Sequence, residues 1–166
     1  MQELRRVVEP AAVRLAAERA TPADIAELEA AYAGMSAAVY DDGDYVSNDL
    51  RFHQTLLRAA HNRMMVQMSK ALGALLRTSF EVSTAQPGRA AGSLPLHRAI
   101  LDAVIARQPA RAERASLALI DSAREDIDAA LSARRRKKAV AAAVATLPPA
   151  RPPRPARAAS PARGVP

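Results

Sequence analysis

From Gln2 to Lys138 the chain repeats one pattern: apolar residues at helical spacing, then a residue that caps or breaks a helix. Leu4, Val8, Ala12 and Leu15 form such a stripe and predict a first helix over about Gln2 to Ala20. Thr21-Pro22 reads as an N-cap followed by proline at the first helical position, opening a second helix that runs to about Tyr40. Asp41-Asp42-Gly43-Asp44 is a turn, and Asp44 can cap a third helix. Asn62 can cap a fourth, rich in Met64, Met65, Met68, Leu72, Leu75 and Leu76, where the methionines are most simply core filler. Residues 81–93 hold Pro87, Gly88 and Gly92 and read as a loop, with Ser93 and Pro95 starting the fifth helix. Gln108-Pro109 breaks the chain again before a last helix from about Ala110 into Arg134–Lys138. Six helices joined by short turns predict an all-α antiparallel bundle.

Ala, Leu, Arg and Glu dominate this stretch and aromatic residues make up 3% of the chain, a composition of helix formers. The net charge of +7 suggests a nucleic-acid binder until it is divided along the chain. Nine of the 24 basic residues and none of the 17 acidic ones lie from Ala133 onward, leaving fifteen against seventeen in residues 1–132. The expected domain, 1–132, is therefore mildly acidic, and the basicity belongs to 133–166, an Ala/Pro/Arg-rich segment expected to be disordered beyond a short helical extension over Ala139–Thr146. With no cysteine, disulfides, thiolate metal sites and cysteine nucleophiles are excluded, in agreement with a reducing, cytoplasmic setting. No apolar run reaches the roughly 18 residues that span a membrane, and the N-terminus has no signal-peptide core.

Three ionisable residues fall where apolar ones belong. Asp49 and His53 stand one helical turn apart, on the face that carries Val46, Leu50, Leu56, Leu57 and Ala60. His97 shares a stripe with Leu94, Leu101, Val104 and Ile105 on the fifth helix. Burying an unpaired carboxylate costs several kcal/mol, so the group needs a partner. Two readings satisfy it: a divalent cation or ligand held by the three, or a buried hydrogen-bonded network. His61, in Ala60-His61-Asn62 at a helix end, reads as a contact to the last carbonyls and the dipole.

Several segments together resemble the ligand-sensing (FCD) domain of FadR-type GntR transcriptional regulators. They are Glu3-Leu4-Arg5-Arg6-Val7-Val8-Glu9-Pro10, Leu15-Ala16-Ala17-Glu18-Arg19-Ala20-Thr21, Asn48-Asp49-Leu50-Arg51-Phe52-His53 with the D-x-x-F-H pattern, Ala59-Ala60-His61-Asn62, and His97-Arg98-Ala99-Ile100-Leu101-Asp102-Ala103. The resemblance covers about residues 2–131. It implies a helical bundle with an internal effector and metal cavity, a zinc ion (nickel or manganese as alternatives) on Asp49, His53 and His97, and a small carboxylate effector. The family's fourth ligand, a His in the last helix, is Leu119 here, so three protein ligands are expected, with open positions for water or effector. Leu119-Ile120-x-x-Ala123-x-x-Asp126-Ile127 is closest to members that sense sugar acids such as aldonates.

Arg5 matches a family position that grips the effector carboxylate, its alternative being a surface salt bridge to Glu9 at i+4. Arg124, on a stripe with Leu117, Ile120 and Leu131, is a second effector contact or one half of an interhelical ion pair. The resemblance further implies a homodimer that meets DNA only through an N-terminal winged helix-turn-helix, a segment this sequence does not include. The expected function is effector sensing and dimerisation; the alternative is a dimerisation partner of a full-length regulator, deficient in DNA binding and without its own ligand. A metal hydrolase is disfavoured, since no general base, nucleophile motif or Gly-rich phosphate loop accompanies the trio.

Overall fold

A computed structural model describes residues 2–41, 43–84 and 88–145. Among them it has six helices and no strand: α1 (Gln2–Arg19), α2 (Pro22–Tyr40), α3 (Tyr45–Ala59), α4 (Arg63–Thr84), α5 (Arg89–Ile105) and α6 (Pro109–Ala145). The protein is all-α. Its compact units are Met1–Ala133 and Arg134–Pro166. The site described below lies wholly in the first. In the second, Arg134–Lys138 are helical and exposed, while the tail from residue 146, expected to be disordered, lies outside the described residues.

The predicted punctuation works through named bonds. Thr21 Oγ1 accepts from the Asp24 amide at 3.2 Å and Asp24 Oδ2 accepts from the Thr21 amide at 2.8 Å, a reciprocal capping box. Asp44 Oδ1 accepts from the Ser47 amide at 2.9 Å to start α3. Asn62 Oδ1 accepts from the amides of Met64 and Met65 at the start of α4. Arg107, at φ 54, donates to the Ala20 carbonyl and so helps close the C-terminal end of α1.

Where expectation and structure differ, tertiary packing decides. The loop expected at 81–93 is mostly helix: α4 continues to Thr84 and α5 already begins at Arg89, so Gly92, Ser93 and Pro95 are helical. Gly88 is the actual N-cap, at φ 82, a backbone state that glycine enters without a steric penalty. Leu4 is 39% exposed, while Arg5 and Glu9 are buried beside Val8 and Ala12, so the inward face of α1 is rotated from the purely apolar stripe. Thr55, off the apolar stripe of Leu50, Leu57 and Ala60, is buried as well, its hydroxyl donating to the Arg51 carbonyl at 2.8 Å. Met64 is exposed, and the side chains of Leu72 and Leu75 lie outside the described residues.

Alanine sets how closely the helices approach. Ala16 and Ala17 of α1, Ala20 just after it, Ala31 of α2, Ala59 of α3 and Ala103 of α5 are buried in one core cluster around Leu28, Met35, Phe52 and Leu56. A second cluster joins Val8 and Ala12 of α1 to Leu50 and Leu57 of α3 and to Leu76 and Phe80 of α4. Both clusters draw on α1 and α3, so α3 is enclosed on several sides and the polar residues it carries at 49 and 53 are buried.

Candidate metal and effector site

The helical phase of α3 turns Asp49 and His53 to one side, and α5 brings His97 against them. All three are buried, 4%, 3% and 2% exposed. His53 Nε2 lies 3.3 Å and His97 Nε2 3.1 Å from the same oxygen, Asp49 Oδ1. One possible ligand atom from each residue falls within 4.8 Å of the others. Two donors bound to one zinc ion at about 2.0–2.1 Å lie roughly 3.3 Å apart in a tetrahedron, which the two separations from Asp49 Oδ1 match.

The outer nitrogens are also engaged. His97 Nδ1 is 2.9 Å from the Ser93 carbonyl oxygen, which can only accept, so Nδ1 carries a proton there. His53 Nδ1 is 3.1 Å from Glu9 Oε2. Holding Nδ1–H on a carbonyl or carboxylate is how proteins aim Nε2 at a metal. Glu9 is held in turn by Arg5, whose Nε donates to Oε1 at 2.8 Å and whose Nη2 donates to Oε2 at 3.3 Å.

Glu9 is not singled out by the sequence as a site residue, though the signal for it is present: it is one turn from Arg5, and a surface pair of the two is the alternative to an effector contact for Arg5. The structure buries it instead, with side chains 2% and 4% exposed. Arg5 Nη1 is a buried polar atom without a hydrogen-bond partner. Such a donor costs about 1–3 kcal/mol, more when charged.

In this arrangement both nitrogens of His53 face carboxylates, which only the imidazolium satisfies. Burial opposes that charge, but Glu9 and Asp49 outweigh it and push the His53 pKa up to about 9. Burial likewise works against Glu9, yet the charges of Arg5 and His53 hold it down at about 2. Asp49 is also held well below the usual carboxylate range, its burial outweighed by His97 and His53.

The trio opens onto a small cavity. Its enclosed side is formed by Arg5, Phe80 and Leu119 with the three candidate ligands, all buried. Thr84, Arg89, Ser93, Ser122 and Asp126 line it on the more exposed side. The cavity volume is about 20 Å³, against roughly 10–15 Å³ for one water, enough for an ion or a water but not for a sugar acid without widening. Leu119, expected at the family's fourth-ligand position, lines this cavity and offers no donor. Arg124 is not on this wall: its side chain is 66% exposed and faces Asp128 at i+4, 3.9 Å away, so it forms no interhelical pair. Arg89 and Asp126, which sequence reasoning did not select, form an ion pair across the open side. Nothing in their spacing, 37 residues apart on different helices, announced it. His61 contacts Asp24 Oδ2 at 2.8 Å through Nε2, tying the end of α3 to the start of α2.

Comparison with known proteins adds three findings. Residues 1–122 match the FCD domain family. Over 123 residues the chain is 37% identical to the galactonate operon transcriptional repressor of Escherichia coli strain K12, covering 74% of this chain and 54% of the repressor. A GntR structure from Streptococcus agalactiae is similar at a TM-score of 0.64 and 26% identity, over 75% of this chain and 56% of that one. The chain thus spans about half the length of the relatives it matches.

Proposed function

Because the chain belongs to the FCD domain family, whose members are regulatory and not enzymatic, we propose that residues 1–132 sense a small hydroxy or sugar acid at a divalent metal. Asp49, His53 and His97 would hold the cation, and the donor set, two imidazoles and one carboxylate, suits zinc best. The observation that carries the reading is the pair of engaged Nδ1 atoms, on Glu9 and on Ser93, which leaves both Nε2 atoms on one carboxylate oxygen. That leaves one candidate ligand atom from each of the three residues within 4.8 Å of the others. With three protein ligands, coordination positions stay open beside Arg5, and the unpartnered Nη1 supplies a cation for a carboxylate placed there.

Sugar acids are favoured because the repressor it resembles is named for a galactonate operon and because hydroxyls of Thr84, Ser93 and Ser122 line the cavity. Since the cavity is too small for such an acid as it stands, binding would select a wider arrangement of the helices. In a longer regulator, a dimer of such domains would pass that change to DNA-reading heads, and Arg124 would act outside the pocket, at the surface, if at all.

Metal analysis together with thermal shift against a panel of sugar and hydroxy acids tests the proposal. Zinc, nickel or manganese near one ion per chain and a rise in Tm with an acid, by mass action, support it. A chain that takes up no metal and ignores every acid is a dimerisation partner instead.

A further inference from the structure

We propose that Arg89 and Asp126 select the far end of the bound acid, accepting a hydroxylated terminus and refusing a second carboxylate. The inference rests on the acid-sensing reading above. Arg89 is the first residue of α5, Asp126 lies well along α6, and the two pair through Arg89 Nη1 and Asp126 Oδ1. Both line the cavity that holds the metal trio. Their side chains are 44% and 12% exposed, so Arg89 reaches in from the surface while Asp126 is mostly enclosed.

An acid anchored by its carboxylate near Arg5 and the trio has its other end away from the buried Phe80 and Leu119, on the more exposed side where this pair stands with the Thr84, Ser93 and Ser122 hydroxyls. A cavity of about 20 Å³ gives that end no space unless the pair opens. A hydroxyl both donates and accepts. It can enter between the two, accept from the guanidinium and donate to the carboxylate, and leave neither charge unpaired. A carboxylate only accepts. It takes Arg89 and strands the enclosed Asp126 against a like charge, which is how a site rejects a near-isosteric ligand.

The test is calorimetric titration of the zinc-loaded full chain with a matched pair: a six-carbon aldonate and the aldarate of the same configuration, which differ only in the terminal group. The wild-type chain is expected to favour the aldonate by about tenfold or more, on the order of 1.4 kcal/mol. Asp126→Asn removes the refusing charge and is expected to bring that ratio to within about threefold of unity, chiefly by tightening the aldarate. Arg89→Gln leaves Asp126 uncompensated and is expected to widen the ratio, which keeps the proposal testable if one variant folds poorly. Aldonate binding with the same ratio in both variants as in wild type overturns the role of the pair while leaving the sensing reading intact. Zinc uptake with no binding of either acid overturns both.

Discussion

The chain contains two Asp–His contacts that differ in surroundings more than in chemistry. Asp24 and His61 meet at 2.8 Å, at the surface, where the His61 side chain is 46% exposed. Asp49 and His53 meet at 3.3 Å, with both side chains almost wholly enclosed. The longer contact belongs to the more strongly coupled group. Water screens the surface pair, and such pairs contribute about 0–1 kcal/mol. Inside, each charge loses its hydration and depends on the partners the fold supplies, so removing one partner is far costlier than the pair's own net worth. Distance alone ranks the two contacts in the wrong order.

The largest effect that separates them is expected at Asp49. Asp49→Ala should abolish metal uptake and cost about 3–5 kcal/mol in urea denaturation, because His53 is left charged and enclosed. A loss below 1 kcal/mol would place the buried contact in the same class as the surface one. Next comes Glu9→Gln, which weakens the acceptor that aims His53. Metal affinity measured by competition with a chelator should fall about 10–100-fold with Asp49, His53 and His97 all present.

A change of pH sharpens the comparison further. His53 has its pKa pushed up by Glu9 and Asp49 to about 9 in the folded chain from its ordinary 6.5. Its contribution to the stability of the metal-free protein is therefore complete below about pH 6.5 and is lost as pH rises through 9. Glu9, lowered from 4.5 to about 2, contributes above pH 4.5 and loses that contribution as pH falls toward 2. Urea midpoints of metal-free protein should thus decline from pH 6.5 to 9, whereas metal affinity should rise over the same interval because metal competes with the His53 proton. The smallest effect is expected for His61→Ala: at most about 1 kcal/mol, unchanged metal affinity and an unchanged alkaline decline.

Much of this was legible in the residues. Thr21, Asp44 and Asn62 cap the helices they were expected to cap, because a cap depends on neighbours three residues away. Asp49, His53 and His97 were selected because helical phase alone puts a carboxylate and two imidazoles on apolar faces. Glu9 was missed for the complementary reason: paired with Arg5 at i+4, it looked complete, and nothing local shows that α3 will cover both. In the sequence Ser93 reads as a cap and Gly92 as part of a loop, since local propensity outvotes a packing partner the sequence does not reveal. In the structure Ser93 sits one turn before His97, and its carbonyl oxygen receives the imidazole.

What the sequence by itself determined is the set of helices, their punctuation and the identity of three donors, all properties of residues within a turn or two of each other. Tertiary structure decided which groups face those donors. It turned Arg5 and Glu9 inward and Leu4 outward, put Leu119 on the cavity wall, and joined Arg89 to Asp126 on its more exposed side. The reason is dielectric as much as geometric: a polar side chain acquires its partner, and much of its charge state, from whichever helix excludes water from it, and that helix is chosen by packing over the whole chain.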